Sequence, residues 1–217
     1  HKVELTEKAI ERIKTARAIV DDLVENEKVS YGITTGFGKF SDVVISKKDT
    51  RQLQINLIRS HACGVGDPLS EEIVRAMMLL RINALSKGYS GVRLETLQVL
   101  IDMLNKGVHP IVPEKGSLGS SGDLAPLSHM VLTMLGEGEA IYKGARMDSK
   151  DAMEKAGIKP LEYLSSKEGL SLNNGTQCMT AVGAITVYDA INLMKTADIA
   201  LGLTMEGLNG ITCAMDE

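Results

Sequence analysis

The chain has no tryptophan, only two phenylalanines and five tyrosines in 217 residues. A core without large rings must be filled by aliphatic side chains and methionine. The eleven methionines, spread among Leu, Ile and Ala, point to helix-on-helix packing in which Met fills irregular gaps. Cysteine is scarce too. Cys63, Cys178 and Cys213 are odd in number, far apart and outside any C-x-x-C pattern, which excludes a disulfide framework or a zinc site and fits a reducing compartment, read as the cytoplasm. No long uncharged apolar run occurs. The most apolar stretch, Met179 to Leu208, is interrupted by Asp189, Lys195, Asp198 and Glu206, so it reads as a buried helix and not a membrane span. Net charge is −4, which gives no electrostatic case for nucleic acid or an anionic membrane. No signal peptide, internal repeat or low-complexity linker is visible. The chain opens at His1 and stops at Asp216-Glu217 straight after a helical pattern, so a piece of a longer protein is expected.

Several nucleotide and hydrolase signatures are missing as well. Gly32-x-x-x-Gly36-x-Gly38 is followed by no Gly-Lys-Ser/Thr and does not match G-x-G-x-x-G. No G-x-S-x-G elbow surrounds Ser121. The histidines His1, His61, His109 and His129 lack metal-ligand spacing, so no metal is expected.

What remains is a mostly α pattern. Thr6 caps a helix carrying Ile10, Ile13, Ala16, Val20 and Leu23 at helical spacing. Further helices are expected over Lys48–Ser60, from Ser70 to about Ser86, over Leu94–Asn105 and over Ser149–Ala156, with a long last helix over Gly175–Leu208. Ser70 followed by Glu71 and Glu72 is a strong helix start. Pro110 and Pro113 bound an extended connection. Asp123 is expected to cap a helix that tolerates Pro126 in its first turn. Gly136–Gly144 reads as a small hairpin or turn carrying Ala140-Ile141-Tyr142.

The densest chemistry lies in Gly116-Ser117-Leu118-Gly119-Ser120-Ser121-Gly122-Asp123. Such a run of small residues ordinarily forms a solvated loop and helix cap. It also permits a backbone reaction. The Gly122 nitrogen, with no Cβ in its way, can attack the Ser120 carbonyl. Loss of water from the new ring, and of the Ser121 hydroxyl as a second water, leaves an electrophilic methylidene-imidazolone.

Three further segments decide between these readings. They are Tyr31-Gly32-Ile33-Thr34-Thr35-Gly36-Phe37-Gly38, Arg59-Ser60-His61-Ala62-Cys63-Gly64-Val65-Gly66 and Lys167-Glu168-Gly169-Leu170-Ser171-Leu172-Asn173-Asn174-Gly175-Thr176. Together with the Ser121 loop, their order and content resemble the aromatic amino acid ammonia-lyases, most closely the histidine-specific members, over nearly the whole chain. The resemblance implies the N-terminal part of that fold, whose long helices join a helical bundle with little β structure. Residues 29–66 and 114–127 would then be active-site loops and 128–217 a helical region, with the C-terminal remainder of the enzyme absent. It implies non-oxidative loss of ammonia from L-histidine to give urocanate, a methylidene-imidazolone built autocatalytically from Ser120-Ser121-Gly122, and no external cofactor. Tyr31 would be the base that takes the β-proton, Asn174 would orient the substrate amine, and His61 would contact the substrate side chain. The triad usually begins with Ala in the family, and Ser120 stands there in this chain. Asn173 or Asn174 is expected to serve only as a helix N-cap. The partners implied are a small amino acid and further copies of the chain in a homotetramer. This piece alone would be inactive. A tyrosine or phenylalanine ammonia-lyase or an aminomutase is the alternative within the class, and a non-catalytic helical assembly module the alternative outside it.

Overall fold

A computed structural model describes residues 2–26, 28–30, 32–36, 47–118 and 121–215. The chain divides into two compact units, residues 1–181 and 182–217. In the first unit the expected helices form. Helix α1 spans Glu7–Glu25, with the Thr6 hydroxyl accepting from the Ala9 N–H. Helix α2 spans Lys47–His61. Helix α3, Glu71–Leu85, starts at Ser70, whose hydroxyl accepts from the Ile73 N–H. Helix α4, Leu94–Lys106, stops at Gly107, where φ is +75°. A left-handed residue at this position costs glycine little and any other residue much more.

Short strands lie between the helices. Strand β1 (Val65–Pro68) pairs antiparallel with β3 (Pro113–Lys115). Strand β2 (Val108–Pro110) pairs with β4 (Glu139–Tyr142), which pairs in turn with β5 (Ala145–Asp148). The β4–β5 turn is Lys143-Gly144, both with positive φ, as two-residue hairpins of this twist require. The hairpin therefore lies a few residues later than Gly136–Gly144. Those earlier glycines, Gly136 and Gly138, end helix α5 (Leu124–Met134) instead. Helix α6 (Ser149–Lys155) follows β5 directly. Helix α7 (Glu168–Asn173) was not expected from the pattern. Helix α8, Gln177–Gly207, begins in the first unit and continues in the second.

Methionine fills the core of the first unit. Met77, Met78, Met103, Met130, Met134 and Met153 are all fully buried, alongside Ile58, Leu97, Leu100, Leu127 and Leu172. Among the described residues, the buried side-chain polar atoms are bonded apart from Arg81 Nε and Asn173 Oδ1. The Glu168 carboxylate, with no exposed surface, accepts from the Arg93 N–H (2.9 Å), Arg93 Nη2 (2.8 Å), the Thr96 hydroxyl (2.7 Å) and the Ser165 N–H (2.8 Å). These bonds fix α7 against α4, and the Tyr163 ring stacks between the guanidinium groups of Arg51 and Arg93, 4.0 and 4.3 Å from its centroid. His109 lies against two charged residues of one helix, α3. Its Nε2 accepts from Arg75 at 2.9 Å while Nδ1 faces Glu71 at 3.3 Å. Burial, with Arg75 beside it, holds its pKa below the usual histidine value, against the opposite pull of Glu71.

In the second unit the rest of α8 and a 3-10 turn at Thr212–Met215 carry Val187, Tyr188, Leu193, Met194, Ile199 and Leu203, all well exposed. Among the described residues no helix is long and apolar enough to cross a membrane.

One glycine sets a packing distance. The Gly169 N–H donates to Gln54 Oε1 at 2.8 Å, and a Cβ on Gly169 would sit 2.9 Å from both the backbone oxygen and Oε1 of Gln54. The α2–α7 crossing is thus closed to any side chain at 169. Gly169→Ala is expected to lower stability by about 1–3 kcal/mol, the range for overpacking a tight contact. Urea unfolding of the intact protein checks this by a lower midpoint at an unchanged slope.

Candidate active site

Three of the four chemistry-bearing segments converge in the first unit, each through identifiable bonds. The β1–β3 pairing places the strand after His61 alongside the strand that leads into the Ser121 loop. The two loops touch further on, because a Cβ on Gly116 would lie 3.0 Å from the Gly64 Cα. The Gly64 N–H donates to His129 Nε2 of helix α5 at 3.0 Å. Gly64 is itself hemmed in, with His129, Pro113 and Lys115 each within 3.3 Å of where a Cβ would be.

Ser121 and Gly122 are half-buried immediately before α5. Gly122 has φ +86°, a conformation that L-residues with a Cβ rarely adopt. The loop is closed by the Ser117 hydroxyl, which bonds the Gly122 carbonyl and lies 3.0 Å from Asp123 Oδ1. Leu118 and Asp123 form a parallel bridge across the same loop.

Asp123 does not cap α5 with its side chain, contrary to expectation. Its carboxylate is fully buried and Oδ2 accepts the Met179 N–H at 2.9 Å. It therefore caps the first turn of α8, a different helix. The Thr180 N–H bonds the Thr176 carbonyl at 2.9 Å, so α8 is entered through Thr176 and neither Asn173 nor Asn174 is its N-cap. Among the described residues, the diversion of Asp123 leaves the start of α5, at Leu124 and Ala125, without a side-chain cap. They sit next to Gly122, where the positive end of the helix favours developing negative charge.

Asn174 lies between α7 and α8. Its N–H donates to the Leu170 carbonyl at 3.0 Å and its carbonyl accepts from Arg81 at 2.9 Å. The residue is exposed. Asn173, by contrast, is buried in the last position of α7, and its amide donates to the Ser128 hydroxyl of α5 at 3.3 Å. That bond is a further link between the α7 segment and the helix that follows the Ser121 loop.

His61 ends helix α2 and is half-buried. Its Nδ1 is 2.8 Å from the Leu57 carbonyl. A carbonyl can only accept, so Nδ1 carries the proton and Nε2 of the neutral ring is the acceptor. Tyr31 and Ser120 lie outside the described residues, as do Phe37, Gly38 and Gly119. Among the described residues, no three His, Cys, Asp or Glu side chains group closely enough to hold a metal ion.

The chain as a whole matches known proteins. The family model for aromatic amino acid lyases matches residues 1–217. The chain belongs to the aromatic amino acid lyase family. It is 68% identical over 217 residues to histidine ammonia-lyase of Alkaliphilus oremlandii, covering 100% of this chain and 43% of that protein. Among solved structures it resembles histidine ammonia-lyase from Trypanosoma cruzi, with TM-score 0.89, 41% identity and coverage of 97% of this chain and 41% of that one. It also resembles phenylalanine aminomutase of Pantoea agglomerans, with TM-score 0.91, 36% identity and coverage of 100% and 41%. The chain thus spans less than half the length of these lyase-family relatives. The mostly α class and the placement of this region in the N-terminal part of the family fold both stand.

One residue that supports the site, Arg81, was not singled out from sequence. Arg81 is the lone charge in the apolar run Met77–Ile82 of α3. An unpaired charge in an otherwise apolar helical stretch was the signal available. Asp123 was noticed, but for the wrong helix. Electrostatics around the site follow from burial. Cys178, at the start of α8, is pushed up to about 11 by burial and by the neighbouring Asp123, so its thiol stays protonated and unreactive near neutral pH.

Burial lowers the pKa of His129, which keeps Nε2 free to accept from Gly64. The unfolded chain takes up the proton more readily than the folded one. Stability from this contact is therefore fully present above about pH 6.5 and is lost as pH falls below that, through the lowered folded value. Thermal melting of the intact protein between pH 7.5 and 5 is expected to show this loss. His129→Gln, which keeps an acceptor but does not titrate, should have a flatter profile over the same interval.

Proposed function

We propose that the intact protein eliminates ammonia from L-histidine to give urocanate, using an electrophile made from Ser120, Ser121 and Gly122. The observation that carries this reading is the convergence of the His61, Ser121–Gly122 and Asn174 segments through the β1–β3 pair, the Gly64–His129 bond and the Asp123–Met179 bond. The likeness to histidine ammonia-lyases at 57–68% identity supports the choice of substrate.

The residues present fit the methylidene-imidazolone. Gly122 already holds the positive φ that brings a chain back on itself, and it offers a backbone nitrogen without a Cβ. Once formed, such a ring supplies an electrophilic carbon that turns the substrate's ammonia into a leaving group. The start of α5 at Leu124 and Ala125, without a side-chain cap among the described residues, favours negative charge on a ring oxygen beside it. Tyr31 takes the β-proton. An ordinary phenol holds its proton too tightly for this, so its phenolate must be stabilised in the site. Asn174 offers an amide with both donor and acceptor to the substrate amine. His61 offers the Nε2 acceptor to the N–H of a substrate imidazole. The β C–H and α C–N bonds break, the new C=C forms, and ammonia departs.

The substrate is a free amino acid. The exposed apolar residues of α8 in the second unit fit burial against further copies in a homotetramer, and the three free thiols fit a cytoplasmic setting. An aminomutase is the second reading, favoured by the close structural match to one. Urocanate and ammonia as the products, with no β-amino acid, decide between them.

The first test is the intact mass of the complete enzyme. A mass two waters below that of the sequence, mapped to Ser120–Gly122, is expected; an unmodified mass in an active preparation sinks the proposal. Tyr31→Phe should reduce turnover by about a hundredfold or more, the range that a positioned proton acceptor contributes. His61→Leu should lower kcat/KM for histidine more than for phenylalanine, and an equal effect on both would remove His61 from substrate recognition.

A further inference from the structure

Arg81 is 4% exposed, and no carboxylate faces its guanidinium among the described residues. Burial lowers its pKa only to about 10, so it remains charged at neutral pH. An isolated buried cation is costly to hold, and a methionine or leucine in α3 would pack there without that cost. What compensates the charge is a set of oxygen dipoles from one short segment. Nη2 donates to the Ser171 carbonyl and to the Asn174 carbonyl, the latter at 2.9 Å, and Nη1 donates to Gln177 Oε1 at 2.7 Å. Every one of these acceptors falls between residues 171 and 177. These acceptors lie in the last turn of α7, the junction itself and the first residue of α8, so the guanidinium braces, from both sides, the segment that brackets Asn174. Gly175 completes the arrangement, because a Cβ there would collide with Arg81 Nη1 and Gln177 Oε1.

We propose that Arg81 is a positioning residue for Asn174, fixing its carbonyl while the Leu170 carbonyl holds its N–H, so that the exposed amide is presented in one direction to the substrate. The proposal rests on the reading of Asn174 as the residue that orients the substrate amine. With both ends of the Asn174 peptide tethered, the side chain needs no partner of its own and remains available. The planar fork of arginine is required, since one lysine ammonium cannot reach and orient carbonyls at 171 and 174 together with the Gln177 amide.

The test is a double-mutant cycle in the complete enzyme with Arg81→Lys and Asn174→Ala, residual turnover being followed over hours. Arg81→Lys is expected to lower kcat by about tenfold or more, as small misplacements of a positioning group do, with KM within about twofold. Its melting temperature should stay close to that of the wild type. In the Asn174→Ala background the same substitution should have almost no further effect, because the residue through which it acts is gone. Losses that multiply in the double variant overturn the proposal and leave the role of Asn174 intact. Wild-type turnover in Asn174→Ala alone instead overturns the assignment of Asn174, and the proposal with it. If Arg81→Lys does not fold, Gln177→Leu, which frees one arm of the guanidinium, replaces it. A loss of kcat that vanishes in the Asn174→Ala background supports the proposal; no loss, or one that multiplies, overturns it.

Discussion

The buried carboxylate of Asp123 is the point on which the architecture around the candidate site turns. One oxygen faces the Ser117 hydroxyl that closes the small-residue loop, and the other caps the first turn of α8. A charge with no exposed surface is tolerable only when its lone pairs are met. The requirement couples two segments more than fifty residues apart in sequence. Neither the Gly122 conformation nor the start of α8 can shift without leaving that carboxylate short of a donor. The same economy recurs at Glu168, whose donors come from α4 and from the turn before α7. Polar groups inside this core act as joints between elements, while methionine and leucine supply the bulk.

Around these joints the close approaches are made by glycine. Gly64 sits against His129, Pro113 and Lys115; Gly169 against Gln54; Gly175 against Arg81 and Gln177. Each lies in one of the chemistry-bearing segments noted in the sequence, and each is where two elements meet. The small residues that look like loop punctuation in the sequence therefore work as contact surfaces. They let the backbone of one segment reach side-chain donors and acceptors on another.

Much of this was legible before the structure. Apolar spacing located α1, α3 and α4, and the Thr6 and Ser70 caps were read correctly because they depend only on neighbours three residues away. The long α8 was likewise placed within two residues at its start. Where the reading failed, tertiary contacts had overridden local preference. Asp123 stands at an N-cap position of α5, but its side chain serves α8. Helix α7 is six residues long, has Gly169 at its second position and Lys167 in a left-handed conformation before it, so no local signal marks it. Arg81 sits on an apolar helix where periodicity sees only a core-facing stripe with one charge. The chemistry-bearing segments themselves were evident, because their order and content resemble those of the family. What joins them was not evident, since bonds such as Gly64–His129 and Asn173–Ser128 span large sequence separations.

The way Arg81 is neutralised has a consequence for how the site responds to its medium. Exposed ion pairs such as Arg59–Glu137 and Arg146–Glu139 weaken as dissolved ions screen them. Arg81 faces carbonyl and amide oxygens inside the protein, where counter-ions do not reach. The α7–α8 junction is therefore insulated from ionic strength, and concentrated salt that loosens the charged periphery leaves the orientation of Asn174 as it was.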